Sequence, residues 1–304
     1  MKKDLTEEGV LKAIIYFSIP YLLSYFLQTL YGMADLFIIG QFNGVDSITS
    51  VSIGSQVMHM LTVMIVGLAM GSTIMIARGV GAKNNKVVNE VIGNTATLFM
   101  TLSIVFSVIL ILLVKTIVSI MATPSEAISG TNIYLIICFA GIPFITAYNI
   151  ISSIFRGMGD SKSPMYFIAI ACVFNIALDY LFIGVFKLGA SGAALGTTLS
   201  QAISVIISLI VIKKRKMIPG ISYKDFKIKK SVLAYFYYLC KNSPCLASNK
   251  IFSTNTFTNG NSSSNRFFII SYNMHWNLYM DEETSWKVKN KTATNYLVAV
   301  LLFI

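Results

Sequence analysis

Residues 164–186 read Pro-Met-Tyr-Phe-Ile-Ala-Ile-Ala-Cys-Val-Phe-Asn-Ile-Ala-Leu-Asp-Tyr-Leu-Phe-Ile-Gly-Val-Phe, an apolar run interrupted by Asn175 and Asp179. A bilayer core of about 30 Å needs roughly 20 apolar residues in a helix, so the run is long enough to span. A carboxylate inside it costs about 2.5–3.5 kcal/mol on insertion scales, and chains carry one mostly where it faces a protein-lined cavity and binds something. Asp35 sits in a second run of the same kind. The pattern points to an all-α integral membrane protein, a transporter that reads cations or protons at mid-membrane depth.

Working outward, five further stretches reach spanning length: about 10–39, 48–76, 88–114, 128–154 and 191–212. Pro20 falls in the first span and Pro143 in the fourth, where a kink or broken ladder is tolerated if neighbours compensate. The break at Lys187-Leu-Gly-Ala-Ser-Gly192 is short, so the last two spans form a tight hairpin. Composition agrees: 55% of the 304 residues are hydrophobic and 12% charged, against roughly 25% charged in a soluble domain. Mean hydropathy is +0.70.

The net charge of +11 would suggest nucleic acid in a soluble protein, but here the basic residues gather in loops beside the spans. One side receives Lys2, Lys3, Lys12, Arg78, Lys83, Lys86, Arg156, Lys162 and the run Lys213-Lys-Arg-Lys216 with Lys224, Lys227, Lys229 and Lys230. The other has Lys115 and Lys187. By the positive-inside rule both ends of the six-span unit are cytoplasmic. The mixed-charge N-terminus followed by a long apolar run is no cleaved signal, so it is expected to stay on the protein. A unit that starts and ends inside can be followed by a copy in the same orientation, the parallel-repeat plan of several secondary transporters. Residues 1–212 are thus read as a six-helix membrane lobe and 213–235 as a basic cytoplasmic linker.

Beyond about residue 236 no run reaches spanning length, and the chain turns rich in Asn, Ser, Thr and Lys, as in Ser253-Thr-Asn-Thr-Phe-Thr-Asn-Gly-Asn-Ser-Ser-Ser264. AT-rich DNA translated out of frame encodes such residues. Residues 236–304 are expected to be a frameshifted or disordered polar tail.

Asn175 and Asp179 lie four apart on one helix face, and Gln28, Tyr31 and Asp35 share a face of the first span. Tyr134 and Asn149 of the fourth span and Thr197 and Gln201 of the sixth are the other polar candidates. If these faces converge, two carboxylates share a low-dielectric cavity where repulsion and desolvation make proton uptake plausible chemistry. Carboxylate and carbonyl oxygens could equally hold Na⁺. Asn149, Thr197 and Gln201, each taken alone, fit interhelical hydrogen bonding as well as a site. Gly67-xxx-Gly71 and Gly192-xxx-Gly196 read as packing, and His59 as an interhelical donor. The four cysteines show neither a disulfide framework nor zinc spacing. Gly79-Val-Gly-Ala-Lys83 lacks the phosphate-loop spacing, and no nucleophile or metalloprotease motif occurs, so enzyme chemistry and cofactors are not expected.

The run Thr29-Leu-Tyr-Gly-Met-Ala-Asp35-Leu-Phe-Ile-Ile-Gly40 resembles the first helix of multidrug and toxic compound extrusion (MATE) transporters. So do Phe155-Arg-Gly-Met-Gly-Asp160-Ser-Lys-Ser-Pro164, Asn175-Ile-Ala-Leu-Asp179 and Gly189-Ala-Ser-Gly-Ala-Ala194 continuing to Thr197. The resemblance covers about residues 5–230 and implies the N-terminal lobe of a twelve-helix bacterial antiporter. It implies export of cationic amphipathic drugs across the cell membrane in exchange for H⁺ or Na⁺. It also implies a cation or proton site at Asp35, Asn175 and Asp179, with Tyr134, Asn149 and Thr197 as neighbours. The chain departs from the family in lacking the seventh to twelfth helices. Alternatives are an inactive membrane-inserted remnant and a lipid-linked-sugar flippase of the same superfamily, which would want Arg or Lys in the cavity. Expected partners are the bilayer and small cationic organic molecules, with no nucleic acid; oligomeric state is left open.

Overall fold

The computed structural model describes residues 10–215, 217–218 and 223–227, with side chains from Ile15 onward except those of 223 and 224. Residues Ile19–Ile228 form one compact unit; of a second, Met1–Ser18 with Lys229–Ile304, only 10–18 are described. The reading of 236–304 as frameshifted or disordered, and most of the proposed linker 213–235, lie outside the described residues.

The helices are α1 (Val10–Phe42), α2 (Val45–Gly81), α3 (Asn85–Leu112), α4 (Val114–Ile120), α5 (Ile128–Ala140), α6 (Ile142–Gly157), α7 (Lys162–Asp179) and α8 (Ala190–Arg215). Five spans are long and apolar enough to cross a membrane, α7 being counted through Val185. The expected fourth span is broken: α5 and α6 meet at Gly141 with a 47° bend, and the pair, counted as one span, brings the number to six. Pro143, which cannot donate to the preceding turn, sits at the start of α6, where a missing N–H costs least. Pro20 lies inside a continuous α1. The short α4, just beyond the expected third span, follows α3 at the end of the bundle opposite most of the basic residues.

The unit is apolar outside, the distribution a lipid solvent selects, and its interior combines apolar clusters with small polar side chains. Phe37 is 65% exposed and Val173 68%, while Ser72, Ser153, Ser204 and Ser208 are fully buried. One apolar cluster joins Ile38, Ile39, Val51, Leu135, Phe139 and Ile183; another joins Tyr148, Ile151, Phe155, Phe167 and Val205. At the basic end, Asp160 ties three elements together. Its carboxylate accepts from the N–H groups of Lys162 (3.1 Å) and Ser163 (3.0 Å), from the Ser163 hydroxyl (2.6 Å) and from Arg215 at the end of α8 (3.2 Å). Nearby, the Arg156 guanidinium lies 5.1 Å over the ring of Tyr21, which holds α1 against α6.

The described part of the linker is laid down rather than loose. A short 3₁₀ turn, Tyr223–Phe226, rests on α3, with Asn94 donating to the Asp225 carbonyl (3.1 Å) and Thr97 to that of Phe226 (2.9 Å). His59 sits on the exposed face of α2, so the interhelical-donor reading is corrected.

Candidate cation site

The helices bring the acidic residues to one level. Asp35 stands one to two turns before the end of α1, Asp179 the same distance before Val185, and Thr197 the same distance after the start of α8. At 1.5 Å per residue each is about 10 Å inside the end opposite the basic loops. The site is therefore nearer the end of the bundle opposite the basic loops than the basic end. Asp35 is 2% exposed; Asn175 and Asp179 are 1% and 0%.

Three helices build the centre. Asp35 on α1 lies against Asp179 and Asn175 on α7. From α8 the Thr197 hydroxyl donates to Asp35 Oδ2 at 3.0 Å. The approach of α7 to α8 depends on Gly196, where a Cβ would collide with Asp179 Oδ1 and stand 3.3 Å from its Cγ. Gly192 packs against Phe182, as a purely structural glycine should, so the two glycines of that motif serve different ends. Directly after Asp179 the helix widens into a π-helical stretch, Tyr180–Val185, an irregularity often found at functional sites. No propensity in this β-branched and aromatic run signals it.

Around this centre, Tyr134 on α5 is 2% exposed and interacts electrostatically with Asp35, as do Tyr31 and Cys138. Tyr31 also bonds Gln28 on its own helix, in keeping with their shared face. The Tyr134 hydroxyl is 3.0 Å from Ser55 Oγ on α2, a contact that spacing along the chain could not reveal. Asn149 is buried, but its amide donates to the Ile145 carbonyl of its own helix at 2.8 Å. No bond joins it to the carboxylates among the described residues. Gln201 is buried one turn beyond Thr197 with its Oε1 unpartnered.

The chemistry follows from what is left unpaired. Asp35 Oδ1, both Asp179 oxygens and both Asn175 amide atoms, Oδ1 and Nδ2, are buried without a hydrogen-bond partner. Buried polar groups are ordinarily satisfied, so oxygens left open in one cluster invite a ligand. Two adjacent carboxylates cannot both stay charged in a low dielectric without a proton or cation between them. The donor set is all oxygen, which suits a hard cation such as Na⁺ as well as a proton.

The comparisons with known proteins come from the same direction. The MatE family model matches residues 20–181. The “Probable multidrug resistance protein YpnP” of Bacillus subtilis (strain 168) is 34% identical over 216 residues, which is 71% of this chain and 48% of that protein. A MOP superfamily transporter from Pyrococcus furiosus, whose binding pocket of reverse polarity suggests a different function, superposes with a TM-score of 0.75 at 26% identity. So does the outward-facing conformation of a multidrug resistance MATE family transporter, with the same values. Each superposition covers 83% of this chain and 56% of the other. The chain spans about half the length of the relatives it matches.

Proposed function

The chain belongs to the MatE family, whose members are transporters and not enzymes, and we propose that it is the cation-binding lobe of a multidrug exporter in the bacterial cell membrane. The observation that carries this is the buried Asp35–Asp179 pair with its unpartnered oxygens, flanked by Asn175 and Thr197. In the alternating-access cycle, H⁺ or Na⁺ enters from the nearer surface and loads the pair. Neutralising the pair weakens the lobe's hold on a cationic amphipathic substrate and favours the inward return. One charge crossing 100 mV supplies about 2.3 kcal/mol, a roughly fiftyfold gradient per coupled charge.

Two rivals belong beside this. A flippase for anionic lipid-linked sugars would place Arg or Lys in the interior; among the described residues every buried charged side chain is a carboxylate, which favours a cationic cargo. An inactive remnant would keep the cation site and lose export. The test separates them: the purified chain is assayed for ²²Na⁺ binding and proton uptake, then in proteoliposomes for ethidium efflux. Ion binding abolished by D35N and D179N, with efflux, supports the exporter; ion binding without efflux supports the remnant; wild-type levels in both variants overturn the site.

A further inference from the structure

We propose that Gly54 and Ser55 on α2 are positioning residues of the cation site, acting through Tyr134. The inference rests on the reading of Asp35 and Asp179 as that site. α2 contributes no carboxylate to the cluster, and its Gly54-Ser55 pair matches no motif. Yet these two residues determine where the Tyr134 phenol points. At Gly54 a Cβ would collide with the Tyr134 ring, 2.6 Å from Cε1 and 3.1 Å from Cγ, so the glycine lets the ring come close against α2, which limits its turning. Ser55 then takes the hydroxyl at 3.0 Å. A tyrosine buried to 2% needs a partner for its polar tip, and Ser55 supplies it from the neighbouring helix. Face and tip are thus both fixed by consecutive residues. The phenol they hold interacts with Asp35 and with Cys138 one turn along α5. α2 is therefore a further wall of the site, and a tilt of α2 against α5 would move the phenol with it.

The experiment uses the purified full chain in detergent, with ²²Na⁺ binding and proton uptake on acidification as probes, each taken as the part lost in D35N/D179N. S55A weakens Na⁺ binding about fivefold, the equilibrium factor of one ordinary hydrogen bond, and displaces the proton-uptake step. S55T, which keeps the hydroxyl, stays within twofold of wild type, and G54A weakens binding at least as much as S55A. In a double-mutant cycle S55A adds nothing to Y134F, because both break the same contact. Size-exclusion and circular dichroism profiles confirm that each variant is folded. Unchanged binding in S55A, or losses from S55A and Y134F that simply add, overturn the proposal and leave the cation site standing. Absence of any D35/D179-dependent signal in the wild-type chain removes the site itself, and this inference with it.

Discussion

Replacing Gly196 by alanine puts one methyl group where the Asp179 carboxylate now lies: the added Cβ would collide with Oδ1 and stand 3.3 Å from Cγ. Neither side can yield cheaply. Asp179 is fully buried, and the contact comes from the body of α8, which packs along α7. Overpacking a tight interior by one methyl costs typically 1–3 kcal/mol. If that strain is relieved by rotating the carboxylate away from Asp35, the same energy is lost from ion binding, a weakening of roughly 5- to 150-fold. The assay is ²²Na⁺ binding to purified protein by scintillation proximity, with D179N as the zero. The control is Gly192→Ala on the same helix face, whose Cβ meets Phe182 and the Leu188 Cβ at 3.2 Å and touches no carboxylate. We expect G196A to lose binding and G192A to lose some thermal stability with binding retained. Binding of G196A within twofold of wild type, in a folded protein, would refute the claim that this glycine sets the carboxylate's place. Equal losses in both variants would refute it too, by showing that only helix packing was disturbed.

Removing the one hydroxyl that donates to the pair, in Thr197→Ala, is expected to weaken Na⁺ binding about fivefold, with Thr197→Ser near wild type; equilibrium binding checks it. Asp179→Asn is nearly isosteric and should abolish cation binding while membrane insertion, read by carbonate extraction, is unharmed. At the basic end Asp160→Ala removes two backbone caps and a side-chain partner, a loss of about 1 kcal/mol or more visible as a lower melting temperature. Arg215→Ala breaks a half-exposed ion pair to Asp160 and a hydrogen bond to Ser163 Oγ (2.8 Å) and should shift melting less than Asp160→Ala. With the native cysteines replaced, a cysteine at exposed Lys115 should react with an impermeant maleimide from outside intact cells, and one at exposed Lys162 only after permeabilisation; the reverse would overturn the orientation.

Much of this was legible before any coordinates. Transfer of apolar residues into lipid is a property of composition, so the six crossings follow from run lengths. Lys and Arg placement needs only counting along loops. Asp35, Asn175 and Asp179 stood out because a polar group in such a run has a cost that requires a reason, and the Asn175/Asp179 spacing placed both on one face. Pro143 marked where the fourth span breaks, though not the 47° bend at Gly141.

What the residues could not settle was rotation and approach between helices. Asn149 and Thr197 are both polar, buried or half-buried, and similarly placed within apolar spans, yet one turns its amide to its own helix and the other reaches Asp35. Gly192 and Gly196 share a motif, and only the second touches the carboxylate. Ser55 meets Tyr134 across 79 residues of sequence, and the π-helical stretch after Asp179 breaks no propensity rule. Spans and the acidic positions were decided by the sequence alone, because they depend on how each segment partitions between water and lipid. The tertiary structure alone decided which oxygens face one another and which are left without a partner, because that depends on helix azimuths and on backbone approaches of a fraction of an ångström.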